Sequence, residues 1–127
     1  MYLSLCGAVE LENQRYRAIF HPERYMPFLE GGQAGAIPLY IMIEALAQIS
    51  CRASSTAFFG GARTIPVQIK NVRYVKQIFD SYPVGELVLS ADVGQKGKFA
   101  LADCKLETAE GEMIVEAAIT VSPLPPQ

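Results

Sequence analysis

The sequence predicts an α+β fold in which one long, buried helix packs against an antiparallel sheet. Three observations predict it. Residues 36–49 read AIPLYIMIEALAQI and are almost wholly apolar apart from Glu44 and Gln48. A helix that is apolar on every side is normally buried in a core. Strand-like runs lie on both sides of this segment, most of them after it, and strands segregated in this way favour an antiparallel sheet. Proline and glycine mark the ends of the helix: Pro38 stands in its first turn, where a missing N–H costs nothing, and Gly60 and Gly61 stop it.

The elements follow in order. Residues 3–11 (LSLCGAVEL) and 14–20 (QRYRAIF) form two strands around a turn at Asn13. The segment HPERYMPFLEGGQAGAIP is irregular, because Pro22, Pro27 and its glycines exclude a regular element. A connection of that length suggests a functional loop. The helix runs from about Ile37 to Phe58. Ile65 to Phe79 is a long strand rich in Val, Ile and Tyr, and residues 80–85 (DSYPVG) form a turn. Glu86 to Val93 alternates apolar and polar residues. Gly94 to Gly97 is a turn, followed by strands at Phe99–Leu106 and Met113–Val121 around Glu110 and Gly111. The tail PLPPQ is a frayed end.

At 127 residues the chain is read as a single domain, 1–127, and with half its residues hydrophobic it has enough for a real core. The formal charge of −2 and the scattered Lys and Arg exclude a nucleic-acid footprint. Cys6, Cys51 and Cys104 form no CxxC pair and no zinc pattern with the one histidine, so no metal is expected. Reduced thiols indicate a cytoplasmic protein, and Cys51 reads as core packing on the helix. The start MYLSLCGAVE lacks the charged head of a signal peptide. Glu44, Gln48 and Arg52 interrupt the helix as a membrane span.

Chemistry concentrates on the helix. A carboxylate in apolar surroundings must find a partner, shift its pKa or face a cavity. Glu44 and Gln48 are four residues apart and share one face, with Tyr40 one turn earlier on the same stripe. An acid, an amide and a phenol in a row read as one wall of a small-molecule site; the alternative for Glu44 is a hydrogen bond to a facing strand. Gln48 either orients the Glu44 carboxyl or is a core amide. The backbone N–H groups near Ile37 to Tyr40 lack intrahelical acceptors and suit a developing oxyanion.

The order of elements resembles the hotdog fold, a long central helix wrapped by a curved antiparallel β-sheet. The stretch PFLEGG…IPLYIMIEALAQ is similar to a segment of the 3-hydroxyacyl acyl-carrier-protein dehydratases, in which a Pro-Phe-Phe or Pro-Phe-Leu loop leads into a Glu-Ala-Met-Ala-Gln helix. The matching residues here are Pro27, Phe28, Leu29, Pro38 and Glu44 to Gln48. Downstream, PVGELVLSADV resembles the family's Pro-x-Gly-Asp/Glu followed by a strand. The aryl-polyene-type dehydratase branch is the nearest form. Two features depart from the pattern. The family's catalytic loop histidine has no counterpart, Glu30-Gly31-Gly32-Gln33 standing in its place, and an N-terminal segment with His-Arg-Tyr-Pro-Phe is missing.

The resemblance implies a lyase of fatty acid or polyketide biosynthesis that dehydrates a 3-hydroxyacyl thioester. The substrate would be carried by acyl carrier protein or CoA, and the protein would be a cytoplasmic homodimer, a higher oligomer, or a heterodimer with an active partner. No bound cofactor is implied. Glu44 would handle the leaving hydroxyl, as a desolvated carboxyl keeps a proton available. His21 serves as the base only if its strand end folds over the cavity mouth; otherwise it is a surface or packing residue. Gln33 and Glu30 occupy the place of the missing histidine, though neither is a good base without help. Gly32, Pro38, Tyr40 and Gln48 are the candidate substrate-binding residues. Two other functions stay open: a thioesterase, in which Glu44 works without any histidine, and a non-catalytic binding or partner subunit derived from a dehydratase.

Overall fold

The computed structural model describes residues 4–24, 35–79 and 86–125. Strand β1 (Glu10–Glu12) and β2 (Arg15–Ile19) open the chain, and a short 3-10 turn at Pro22–Arg24 follows. Helix α1 (Leu39–Phe58) comes next, then β3 (Thr64–Tyr74), β4 (Leu87–Lys96), β5 (Phe99–Thr108) and β6 (Met113–Pro123). The strands form one curved antiparallel sheet in the order β1-β2-β4-β5-β6-β3. The expected sequence of two strands, one helix and a β-rich half is what forms.

Each hairpin is closed by the backbone its turn requires. Asn13 and Gln14 both take positive φ, 50° and 65°, between the paired Glu12 and Arg15. Two left-handed residues make the tight turn whose twist suits antiparallel strands. Gly97, at φ 62°, turns β4 into β5. The C-terminus of α1 closes on Ser55, whose carbonyl accepts both Phe59 N–H and Gly61 N–H at 3.1 Å. Gly60 and Gly61 supply the left-handed backbone after the helix, where a side chain would be strained.

The core lies between α1 and the concave face of the sheet. Met42, Ala45, Leu46, Ile49 and Ala53 pack against Leu87, Leu89, Leu106, Ile114 and Ile119, all fully or almost fully buried. Burial alternates along β5, as expected for a sheet with one covered face.

Three boundaries differ from the sequence reading. The first strand expected over 3–11 is not continuous: among its described residues, 4–11, strand begins only with Glu10–Glu12, and a single bridge joins Cys6 to Phe20. The amides of Leu5 and Cys6 turn toward the helix and bond to Gln48. The helix starts at Leu39, because Pro38 holds extended backbone (φ −61°, ψ 144°) as its N-cap. The strand expected to reach Phe79 stops at Tyr74; Val75 and Lys76 then bond to the carbonyl of Ile114, and Phe79 pairs with Ala36 by an isolated bridge. The turn at 80–85 lies outside the described residues.

Candidate functional site

The sheet covers only one side of α1. Tyr40, Glu44, Cys51 and Ser55 lie along the other side and form an open stripe, with Tyr40 59% exposed. Glu44 is therefore exposed in this chain, and the burial expected for it does not form. Apolar composition predicts that a helix is covered, but the strands of this chain reach only the face carrying Met42, Leu46, Ile49 and Ala53.

Gln48, one turn beyond Glu44, is buried beneath the N-terminal segment. Its side-chain carbonyl accepts the amides of Leu5 at 2.7 Å and Cys6 at 3.2 Å, and its Nε2 donates to Glu44 Oε1 at 3.4 Å. The acceptor is thus committed to backbone, and only the amide nitrogen faces the carboxylate. Gln48 positions Glu44 and anchors the chain start.

Arg52, a further turn along, continues the tie. Its Nη1 donates to Cys6 O at 2.6 Å and its Nη2 to Ser4 Oγ at 2.7 Å. Arg24 reaches the same residue from the 3-10 turn, with Nη1 donating to Ser4 O at 2.9 Å. Neither guanidinium meets a carboxylate among the described residues. Burial raises the pKa of the Cys6 thiol, and the nearby Arg52 and Arg24 charges oppose that rise.

His21 sits on the far side of the same segment. Its Nδ1 lies 2.6 Å from Glu23 Oε1, so a proton on Nδ1 is donated to that carboxylate. The ring packs on Gly7, where an added methyl would stand 3.2 Å from Nε2. No hydrogen bond or ion pair joins His21 to Glu44. The sequence reading missed Glu23 as the partner of this histidine, although a carboxylate two residues away was a visible signal.

Pro38 and Tyr40 stand at the start of the helix as expected. The donor set there is smaller than the sequence suggests: Ile37 N–H is spent on Ile78 O, and Ile41 and Met42 bond to Pro38 O. Gly32, Gln33, Glu30 and the Pro27-Phe28-Leu29 loop lie outside the described residues. Cys51 is half-buried on the open stripe. Burial raises its thiol pKa most; the Thr64 hydroxyl opposes this and the Glu44 carboxylate adds to it. A groove of about 510 Å³ runs beside this residue between the helix and the start of β3. Among the described residues no cluster of His, Cys, Asp or Glu could hold a metal, and no helix is long and apolar enough to cross a membrane.

One long helix laid on a curved six-stranded antiparallel sheet defines a hotdog-fold protein, α+β in class. No family model and no curated protein matches the chain in sequence. Solved structures do match in shape. The conserved protein PA5202 of Pseudomonas aeruginosa aligns with a TM-score of 0.71 at 12% identity, over 95% of this chain and 90% of that one. The thioesterase HI1161 of Haemophilus influenzae aligns at 0.66 and 15%, over 91% and 78%. The BH2602 protein of Bacillus halodurans, solved with CoA, aligns at 0.65 and 13%, over 94% and 75%. At these identities the likeness is one of fold.

Proposed function

We propose that this chain is an acyl-thioester hydrolase that works as a homodimer on thioesters of CoA or acyl carrier protein. One observation carries the reading: the Glu44 carboxylate stands on the open helix stripe, steadied by the Gln48 amide, with no histidine bonded to it. A carboxylate can act as general base toward water without an imidazole. Water gives a proton to Glu44 and its oxygen adds to the thioester carbonyl. Collapse of the tetrahedral intermediate breaks the carbon–sulfur bond, and the leaving thiolate takes up the proton. The products are a carboxylic acid and a thiol. The CoA-bound and thioesterase neighbours share the fold and support this class of substrate.

The dimer is part of the proposal. Strand β3 is exposed along nearly its whole length, with Ile65, Val67, Ile69 and Val72 in the open. A second copy on that edge would also approach the stripe carrying Glu44. The three free cysteines suit a reducing, cytoplasmic setting.

A second reading, a 3-hydroxyacyl-thioester dehydratase or hydratase, is supported by the EALAQ element, although His21 bonds Glu23 and not Glu44. Mass spectrometry of acyl, 3-hydroxyacyl and trans-2-enoyl thioesters incubated with wild type and Glu44→Gln separates the two. Free thiol released by the wild type and lost in the variant supports the hydrolase. Interconversion of 3-hydroxyacyl and enoyl forms selects the dehydratase. No turnover by a folded protein defeats both and leaves a binding subunit, paired with an active partner or alone.

A further inference from the structure

The groove beside Cys51 has a charge pattern that the hydrolase reading does not use. Arg52 and Arg63 line it, together with Ser55, Thr56 and Thr64. The described residues contain ion pairs for Arg15, Arg17, Arg73, Lys76 and Lys105, but none for Arg52 or Arg63. Arg52 is held rigidly by Ser4 and Cys6, and these bonds to neutral oxygens leave its charge uncompensated. Arg24, anchored on Ser4 as well, adds a third guanidinium nearby. Ser55 Oγ donates to Ala62 O, which pins the glycine turn preceding Arg63 against the helix. A fixed guanidinium at Arg52 and an exposed one at Arg63, neither of them ion-paired among the described residues, put two cations suited to phosphate on one groove.

We infer that this groove binds the phosphate end of a pantetheine thioester through Arg52 and Arg63. The inference rests on the thioester reading for the direction of the ligand. Glu44 and Arg52 lie on one helix eight positions apart, about 12 Å of helical rise. An extended pantetheine arm spans such a separation, placing phosphate at the arginine end and the thioester toward Glu44. The shared chemistry is a phosphate ester on pantetheine, from CoA or from the prosthetic arm of a carrier protein.

Calorimetric titration of the whole protein with CoA, 4′-phosphopantetheine, pantetheine and adenosine 3′,5′-bisphosphate tests this, using wild type, Arg63→Ala and Arg52→Lys. Arg63→Ala removes an exposed side chain, so folding is not at stake and it is the deciding variant; Arg52→Lys keeps the charge while removing the guanidinium and its bonds to Ser4 and Cys6. The expected result is that both variants bind the phosphate-bearing probes about tenfold more weakly, the scale of a lost charge-assisted contact. Pantetheine itself should bind them as it binds the wild type, and added salt should weaken only the phosphate-bearing probes. Equal affinity of CoA and 4′-phosphopantetheine would identify the arm's own phosphate as the ligand; a strong preference for CoA would identify the nucleotide phosphates. Binding of CoA unchanged in both variants, or no wild-type binding of any phosphate-bearing probe, overturns the site. If thioesters are not cleaved and pantetheine does not bind, yet the bisphosphate still binds through Arg63, the thioester reading fails and the phosphate site stands.

Discussion

Cys104 shows how a single buried side chain sets a pH limit. Its thiol lies in the core, 3% exposed, donating to Ala117 O at 3.3 Å. Burial pushes its pKa from 9.0 up to about 11, against smaller opposition from the Ser50 hydroxyl. Below pH 9 both folded and unfolded chains hold the proton, so the stabilisation is complete. Between about pH 9 and 11 the unfolded chain loses its proton while the folded chain keeps it, and stability falls by up to about 1.4 kcal/mol per pH unit. Urea unfolding of wild type and Cys104→Ala across this range should show the wild type losing ground steadily against the variant. A difference between them that stays flat with pH would contradict the shift. Neither the burial nor its consequence depends on the site, and both were within reach of the alternating pattern in residues 99–106.

At the scale of elements, the contact that matters most is between the N-terminal segment and α1. Gln48 satisfies two backbone donors that would otherwise be buried without partners. Gln48→Leu keeps the bulk and removes the acceptor, so the expected loss is about 2–3 kcal/mol, the cost of leaving such donors unpaired. Chemical denaturation measures it directly; a loss below about 0.5 kcal/mol would mean the segment finds other acceptors. The helix itself was legible because its limits are written in Pro38, Gly60 and Gly61 and its core face in Met42, Leu46 and Ile49. The strands after it were legible from alternation and glycine turns. The first strand was not, because LSLCGAVEL has strand composition yet spends the Leu5 and Cys6 amides on a side chain more than forty residues away. Likewise Gln48 could be read as a neighbour of Glu44, but sequence spacing carries no sign of what lies above either residue.

For the whole molecule, the open stripe of α1 and the exposed β3 pose one question. The sheet ends at β3, an 11-residue edge strand whose Ile65, Val67 and Ile69 are between 40% and 48% exposed. A long apolar edge with free backbone groups invites pairing with another chain. Pro66 and the register shifts at Pro66–Gln68 and Lys70–Arg73 break the edge into short runs, which limits open-ended stacking. Leu39 and Tyr40 at the start of the helix, and Phe79, are exposed apolar residues as well. A closed two-fold pair would cover this surface on both copies at once. It would also give Glu44 the enclosed setting that the helix composition implied and the single chain does not provide. The expectation is a dimer by sedimentation, and a monomer for the double variant Val67→Lys, Ile69→Lys, in which like charges face each other across the symmetry axis. Activity toward thioesters should fall with the dimer, while Glu44→Gln should remain dimeric and inactive. A wild type that sediments as a monomer and still turns over thioesters would show that Glu44 works from an open helix face.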